Sequence, residues 1–201
     1  MIKPNGYDEA QVQGEFTPVE LGGHQLIIKN VSEKQSSNGK PMIVVSFDFA
    51  PGDVQAGYFM EQFKNDIRPN KKWPNQATQY ILALDEKGLC TSQLKTFCTC
   101  VERSNDRFSC WMQNGEFDFA NIKNKKLGGV FGEQMDYYDG KEKKKRVLRW
   151  FCSSDKVADA QIPGMSETPA YKTYKERGGM PASPDGFMNI PDALEDELPF
   201  N

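Results

Sequence analysis

The hydrophobic and polar positions alternate from Glu15 onward, and glycine and proline mark where the alternation breaks. EFTPVELGGHQLIIKNVSEKQ, residues 15–35, reads as a strand bent at the Gly22-Gly23 pair. Ser36-Ser37-Asn38-Gly39-Lys40 is a turn, and PMIVVSFDFA, residues 41–50, is the most strand-like stretch of the chain, with Phe47 and Phe49 on one face. Pro51-Gly52-Asp53 turns the chain back, and Gln55–Phe63 is expected to supply a third short strand, completing an antiparallel meander. Residues 1–13 show no periodicity and read as a loose arm.

Beyond a loop, KNDIRPNKKW at 64–73, the pattern changes. Ala77, Tyr80, Ile81 and Leu84 follow Pro74 at helical spacing, which predicts a helix ending near Gly88. A second helix is predicted after the N-cap at Thr91 or Ser92, with Leu94, Phe97, Cys98 and Val101 on one face and an end near Ser104-Asn105. Short apolar pieces at 108–112 and 117–122 surround Asn114-Gly115. Two β-prone segments, 130–138 and 146–152, then flank Asp139-Gly140, the dipeptide that best supplies the positive φ angles of a tight hairpin. SSDKVADA is expected to form one helical turn, and from Pro163 the periodicity is lost. There are no internal repeats. The expected fold is mainly β with inserted helices: one domain over 1–162, then a flexible acidic tail over 163–201.

Composition narrows the function. A chain of 201 residues, 38% hydrophobic, supports one core with a few dozen residues outside it. No window matches a membrane span and MIKPNGYDEAQ lacks the apolar centre of a signal peptide, so a cytoplasmic protein without membrane partners is expected. Cys90, Cys98, Cys100, Cys110 and Cys152 are odd in number and irregularly spaced, which suits reduced thiols. The net charge is −3, but its distribution matters more. Residues 181–201 hold five acids and no Lys or Arg, leaving 25 basic and 23 acidic side chains in the body. Residues 121–150 alone hold nine basic against four acidic side chains.

Catalytic chemistry finds little support. The single histidine, His24, sits beside two glycines, and no spacing joins it to a cysteine or serine in a nucleophilic set. Cys98-Thr-Cys100 with Cys90 and Cys110 lacks the paired CxxC spacing of a zinc site, so buried thiols are the favoured reading, with no metal, cofactor or catalytic residue assigned. No GxxxxGK[ST] loop is present. What recurs instead is a mixture of cations and rings. Lys71, Lys72 and Trp73 lie in the first basic loop; Tyr137, Tyr138, Lys143, Lys144, Lys145, Arg146, Arg149 and Trp150 lie in the hairpin. The cations suit phosphates, and the rings suit sequence-tolerant stacking on bases. Phe47 and Trp111 are expected in the core.

The last ten residues, DALEDELPFN, resemble the acidic, Pro-Phe-terminated tip of bacterial single-stranded-DNA-binding proteins, and phage replication proteins with an acidic tail ending near a Phe are similar in plan. Over the body, the turn-strand SNGKPMIVVSF and the hairpin YYDGKEKKKRVLRWF resemble a family of phage-encoded proteins found among recombination and replication genes. That resemblance implies an oligonucleotide-binding (OB) barrel that binds single-stranded DNA without catalysis. It also implies that Asp192, Glu195, Asp196, Glu197, Leu198, Pro199 and Phe200 recruit replication or recombination proteins in a bacterial host. Homo-oligomerisation is left open. Two other readings stand beside it: an adaptor in phage recombination that does not itself bind DNA, and, ranked third, an accessory to a metal-dependent nuclease.

Overall fold

The computed structural model describes residues 2–4, 7 and 17–179, so the proposed tail residues Asp192 to Phe200 lie outside the described residues. Among the described residues, six strands and three α-helices run in the order β1 (Gly22–Gln35), β2 (Pro41–Phe49), α1 (Tyr58–Asn65), β3 (Thr78–Leu82), α2 (Ser92–Ser104), β4 (Lys126–Tyr138), β5 (Lys141–Cys152), β6 (Ser166–Glu167) and α3 (Pro169–Glu176). The protein is mainly β. Its sheet follows the order β3-β2-β1-β4-β5, with β6 added to β4. The β1–β2, β2–β3 and β1–β4 pairings are antiparallel. Three consecutive strands and a fourth that returns to lie beside the first make a Greek key. The path is open: β3 and β5 are its two ends.

The chain divides into two compact units, Met1–Gln134 with Lys145–Ser166, and Met135–Lys144 with Glu167–Asn201. In the larger unit β1 is the central strand. His24, Leu26 and Ile28 point inward at alternate positions, and a bulge between Ile28 and Asn30 shifts the phase so that Val31, not Asn30, is the next buried residue. β2 is buried on both faces over Phe47-Asp48-Phe49. Phe47, Phe49, Phe59 and Phe131 form a ring cluster with centroids 5.1–6.3 Å apart, mostly tilted or edge-on.

Two elements differ from the sequence expectation, and they exchange places. Gln55–Phe63, expected as the third strand, holds instead most of α1; Ala77 to Leu84, expected as a helix, contains β3. The reason for α1 lies outside its own sequence. Asp48 on β2 accepts hydrogen bonds from the first-turn N–H groups of Phe59 (3.0 Å) and Met60 (3.2 Å), as well as from Phe49 (2.9 Å). It thus serves as a cap delivered from a neighbouring strand. Burial pushes the Asp48 carboxyl up from its ordinary range, against these hydrogen bonds. β3 forms because Ile81 enters the core opposite Ile43, and Tyr80 and Leu82 face outward in register with Val44 and Met42.

Elsewhere the expectation matches. Thr91 caps α2 by accepting from the Leu94 N–H at 3.2 Å, and Leu94, Phe97, Cys98 and Val101 are buried. Asp139 (φ 55°) and Gly140 (φ 70°) make the expected turn between β4 and β5. A 3-10 turn at Ser154–Lys156 occupies the SSDKVADA segment. The boundary at 162 does not mark the end of regular structure, since β6 and α3 follow it. Phe47 is fully buried, but Trp111 is 43% exposed, its ring edge-on to Phe117 at 5.3 Å. The bridge joining Trp111 to Phe117 lies outside the named strands, which leaves the indole at the surface. No described helix is long and apolar enough to cross a membrane.

In the smaller unit, α3 begins at Thr168, whose side chain accepts from the Tyr171 N–H and donates to Asp136 Oδ1 at 2.9 Å. Tyr174 then stacks on Tyr137 at 4.0 Å and 11°.

Gly23 has a specific steric reason. A Cβ there would overlap the carbonyl oxygen of Val157 and come within 3.0 Å of the Ala160 Cβ, so the 3-10 turn region packs directly on bare backbone. Gly23→Ala is therefore expected to destabilise the larger unit by about 1–3 kcal/mol through overpacking, read as a lower urea midpoint with an unchanged slope.

Candidate nucleic-acid interface

The cations proposed for phosphate contact fall into two groups. In the larger unit, Lys71 and Lys72 are exposed in the loop before β3; Lys71 Nζ donates to the Lys64 carbonyl at 2.9 Å. Arg68 in the same loop is bound by two nitrogens to Asp66 at 2.7–3.0 Å, and its hydrogen bonds hold the Asp66 carboxyl at about 2. Arg146 donates to the Val19 carbonyl at 2.6 Å and Arg149 to the Gly164 carbonyl at 3.0 Å and the Glu133 carbonyl at 3.4 Å. Both arginines therefore bind the protein's own backbone, a role the basic pattern does not disclose. Lys145 is exposed. In the smaller unit Lys144 is exposed, and Lys143 Nζ lies 4.8 Å above the Tyr138 ring, a cation–π contact.

The rings separate similarly. Trp73 is half-buried against the core, its indole N–H donating to the Phe47 carbonyl at 3.1 Å and its ring 5.6 Å from Phe63. Tyr137 has one face covered by Tyr174. Trp150 (46% exposed) and Tyr138 (66% exposed) present the most ring surface of the four candidates.

Pattern reading passed over Tyr80, because placing it on the apolar face of a helix turns it inward. On β3 it is 57% exposed. Together with Trp150 on β5 it borders a slot of about 190 Å³, also lined by Gln79, Ile81, Leu148, Arg149 and Phe151 and, from α2, by Ser92, Gln93 and Thr96. The β-branched and aromatic content of TQYIL, at Thr78, Tyr80 and Ile81, is the signal that would have found it.

His24, the only histidine, is buried and held at both ring nitrogens: Nδ1 lies 2.9 Å from Asp53 Oδ1 and Nε2 lies 3.1 Å from the Glu20 carbonyl oxygen. Its ring is 4.5 Å from Phe49 and edge-on to Phe131 at 5.5 Å. Asp53 also accepts from the N–H groups of Gln25 (2.9 Å) and Gln55 (3.0 Å). Burial pushes the Asp53 carboxyl up, but the His24 and backbone hydrogen bonds outweigh it and leave it below the ordinary aspartate range. This pair ties the turn after β2 to the start of β1.

Cys98 and Cys110 are buried, with Cys110 Sγ 3.8 Å from the Cys98 carbonyl oxygen, whereas Cys90 is exposed. Burial pushes the Cys100 thiol up to about 11 and raises that of Cys152, so both hold their protons. Among the described residues, no three His, Cys, Asp or Glu side chains converge. No protein-family model matches the chain, and no curated protein matches it.

Because the folded state holds the Asp53 carboxyl below the ordinary aspartate range, the stability it contributes is fully present above that range and is lost as pH falls through the lowered native value. Asp53→Asn is expected to cost about 1.5–3 kcal/mol at pH 7, with the gap to wild type closing on acidification below the ordinary aspartate range in chemical-denaturation series. A gap that is constant with pH would remove the charge from this account.

Proposed function

We propose that this protein binds single-stranded DNA through an OB-like barrel, without catalysing a reaction, in phage replication or recombination within a bacterial host cytoplasm. The observation that carries the reading is the Greek-key order β4-β1-β2-β3 with β5 beside β4 and α2 in the long connection, its end strands presenting Tyr80 and Trp150. A five-stranded, partly open Greek-key barrel takes up oligonucleotides on its second and third strands and on the loops after its first and fourth. In the larger unit the corresponding parts are β2, β3 and the turn at 36–40; the basic turn after Tyr138 belongs to the smaller unit and is taken by itself as a source of phosphate contacts. Stacking on exposed rings contributes about 1–3 kcal/mol per base, and lysines supply the salt-dependent remainder.

The tail, which lies outside the described residues, has two separable roles in this reading. Its acids compete with DNA for the lysines, and Leu198, Pro199 and Phe200 anchor a replication or recombination partner. Deleting residues 185–201 is expected to tighten DNA binding, most at low salt, whereas Phe200→Ala is expected to abolish partner capture and leave DNA affinity unaltered.

Fluorescence anisotropy with labelled oligo-dT across a salt series tests the core of the proposal. Affinity is expected to fall linearly on a log–log plot, and Lys143→Glu, Lys144→Glu and Lys145→Glu combined are expected to weaken binding and reduce the slope by about 2. An unchanged slope would remove the hairpin lysines from the interface. No oligonucleotide binding, with partner capture through the tail retained, would instead support an adaptor.

A further inference from the structure

The slot between β3 and β5 differs in chemistry from the rest of the proposed interface. Its floor is apolar: Ile81 and Leu148 are buried, and Phe151 packs on Phe47 and Phe97 at 6.1 and 5.3 Å. Gln79, Ser92, Gln93 and Thr96 line its polar side, and each carries both a donor and an acceptor and no charge. The one cation in the lining, Arg149, donates from its guanidinium to the carbonyls of Glu133 and Gly164. Tyr80 and Trp150 offer ring surface, one from each strand. The volume of about 190 Å³ is below the roughly 300–1,000 Å³ of pockets for drug-sized ligands. It suits one ring system.

A flat group with a polar edge, no charge and the size of one ring system is a nucleobase. A phosphate would meet uncharged amides and hydroxyls and an arginine already engaged, and an aliphatic side chain would leave two amides and two hydroxyls unpaired. We infer that this slot is a base-reading subsite, which takes one unstacked base of a single strand against Tyr80 and Trp150 and reads its edge with the amides of Gln79 and Gln93. The inference rests on the single-strand-binding reading and adds base preference to it. Stacking and backbone contact alone are sequence-tolerant, whereas hydrogen bonds to a base edge are not.

The slot exists because β3 and β5 do not pair. One tie between these ends is made by the Gln76 side chain, whose Nε2 donates to the Arg146 carbonyl just before the slot. A ladder of backbone hydrogen bonds would bring the strands to about 4.8 Å and close the gap.

Anisotropy with oligo-dT carrying a single central dT, dC, dA, dG or abasic position tests it, using the full chain and the variants Gln79→Ala/Gln93→Ala, Tyr80→Ala and Tyr80→Phe. Wild type is expected to rank the central bases unequally, with the abasic oligonucleotide weakest. The glutamine double variant is expected to compress the best-to-worst ratio by about fivefold. Tyr80→Ala is expected to weaken all base-bearing oligonucleotides by about tenfold, and Tyr80→Phe to restore them. Gln93 and Tyr80 are exposed, and a thermal melt of each variant checks that it folds. An unchanged ranking in the double variant, with wild-type binding intact, would overturn the subsite and leave single-strand binding standing. Wild type binding none of the oligonucleotides would overturn both. Quenching of Trp150 by the peptide DALEDELPFN and not by oligonucleotide would give the slot to an acidic peptide.

Discussion

The seating of β4 on the open edge of β1 is the constraint from which the larger unit follows. β1 and β2 are joined by a five-residue turn and β3 pairs on the far side of β2, but β4 reaches β1 only after a connection of more than forty residues that contains α2. Closing such a loop costs entropy that local contacts do not repay, so the join must be favourable in itself. Its chemistry is visible at the register Leu26↔Leu127 and His24↔Gly129. At Gly129 a side chain would come within 2.6 Å of both Leu26 and Leu148, so the absent Cβ lets leucines from the strands on either side of β4 meet over its backbone. Burying three leucines together at this join contributes several kcal/mol by the usual area scaling.

His24 belongs to the same constraint. A lone histidine near glycines invites a catalytic reading, yet both ring nitrogens are satisfied within the fold and the ring packs tilted against Phe49 and edge-on with Phe131. Its partner Asp53 also accepts the backbone N–H of Gln25, which holds the turn after β2 against β1. Four hydrogen bonds meet around two buried side chains, an arrangement that specifies one register of strand and turn.

Much of this fold was legible along the chain, and the failures have a common physical cause. β2, α2 and the β4–β5 turn were readable because their signals are local: a β-branched run, a threonine cap with an apolar face, and Asp-Gly at positive φ. α1 and β3 were exchanged because what decides between them is not local. Ala77 and Ile81 are four apart, a spacing that fits one helix face, and only the pairing of Ile81 opposite Ile43 selects the strand. YFMEQFKN becomes a helix with the help of Asp48, eleven positions before Phe59, a carboxylate that reads in sequence as a polar break in a strand. The candidate interface suffered in the same way. A run of lysines and arginines shows where charge is, but not that Arg146 and Arg149 bind backbone carbonyls or that Tyr137 is covered by Tyr174. The error over β3 also hid Tyr80, since a ring assigned to a helix core cannot be counted at the surface.

An open sheet edge is ordinarily a hazard, because unpaired N–H and C=O groups recruit other strands. At β3 the hazard is limited by length and by cover. β3 has five residues, and Ser92, Gln93 and Thr96 of α2 line the same space as its Gln79 to Ile81. Pairing β3 with β5 would satisfy those backbone groups but fill the gap between Tyr80 and Trp150. Leaving the ends apart, tied through Gln76, keeps apolar floor, uncharged amides and two rings around a single space. Under the single-strand reading the opening is then the part of the interface able to distinguish one base from another, while exposed lysines, which can contact any phosphate, distinguish none.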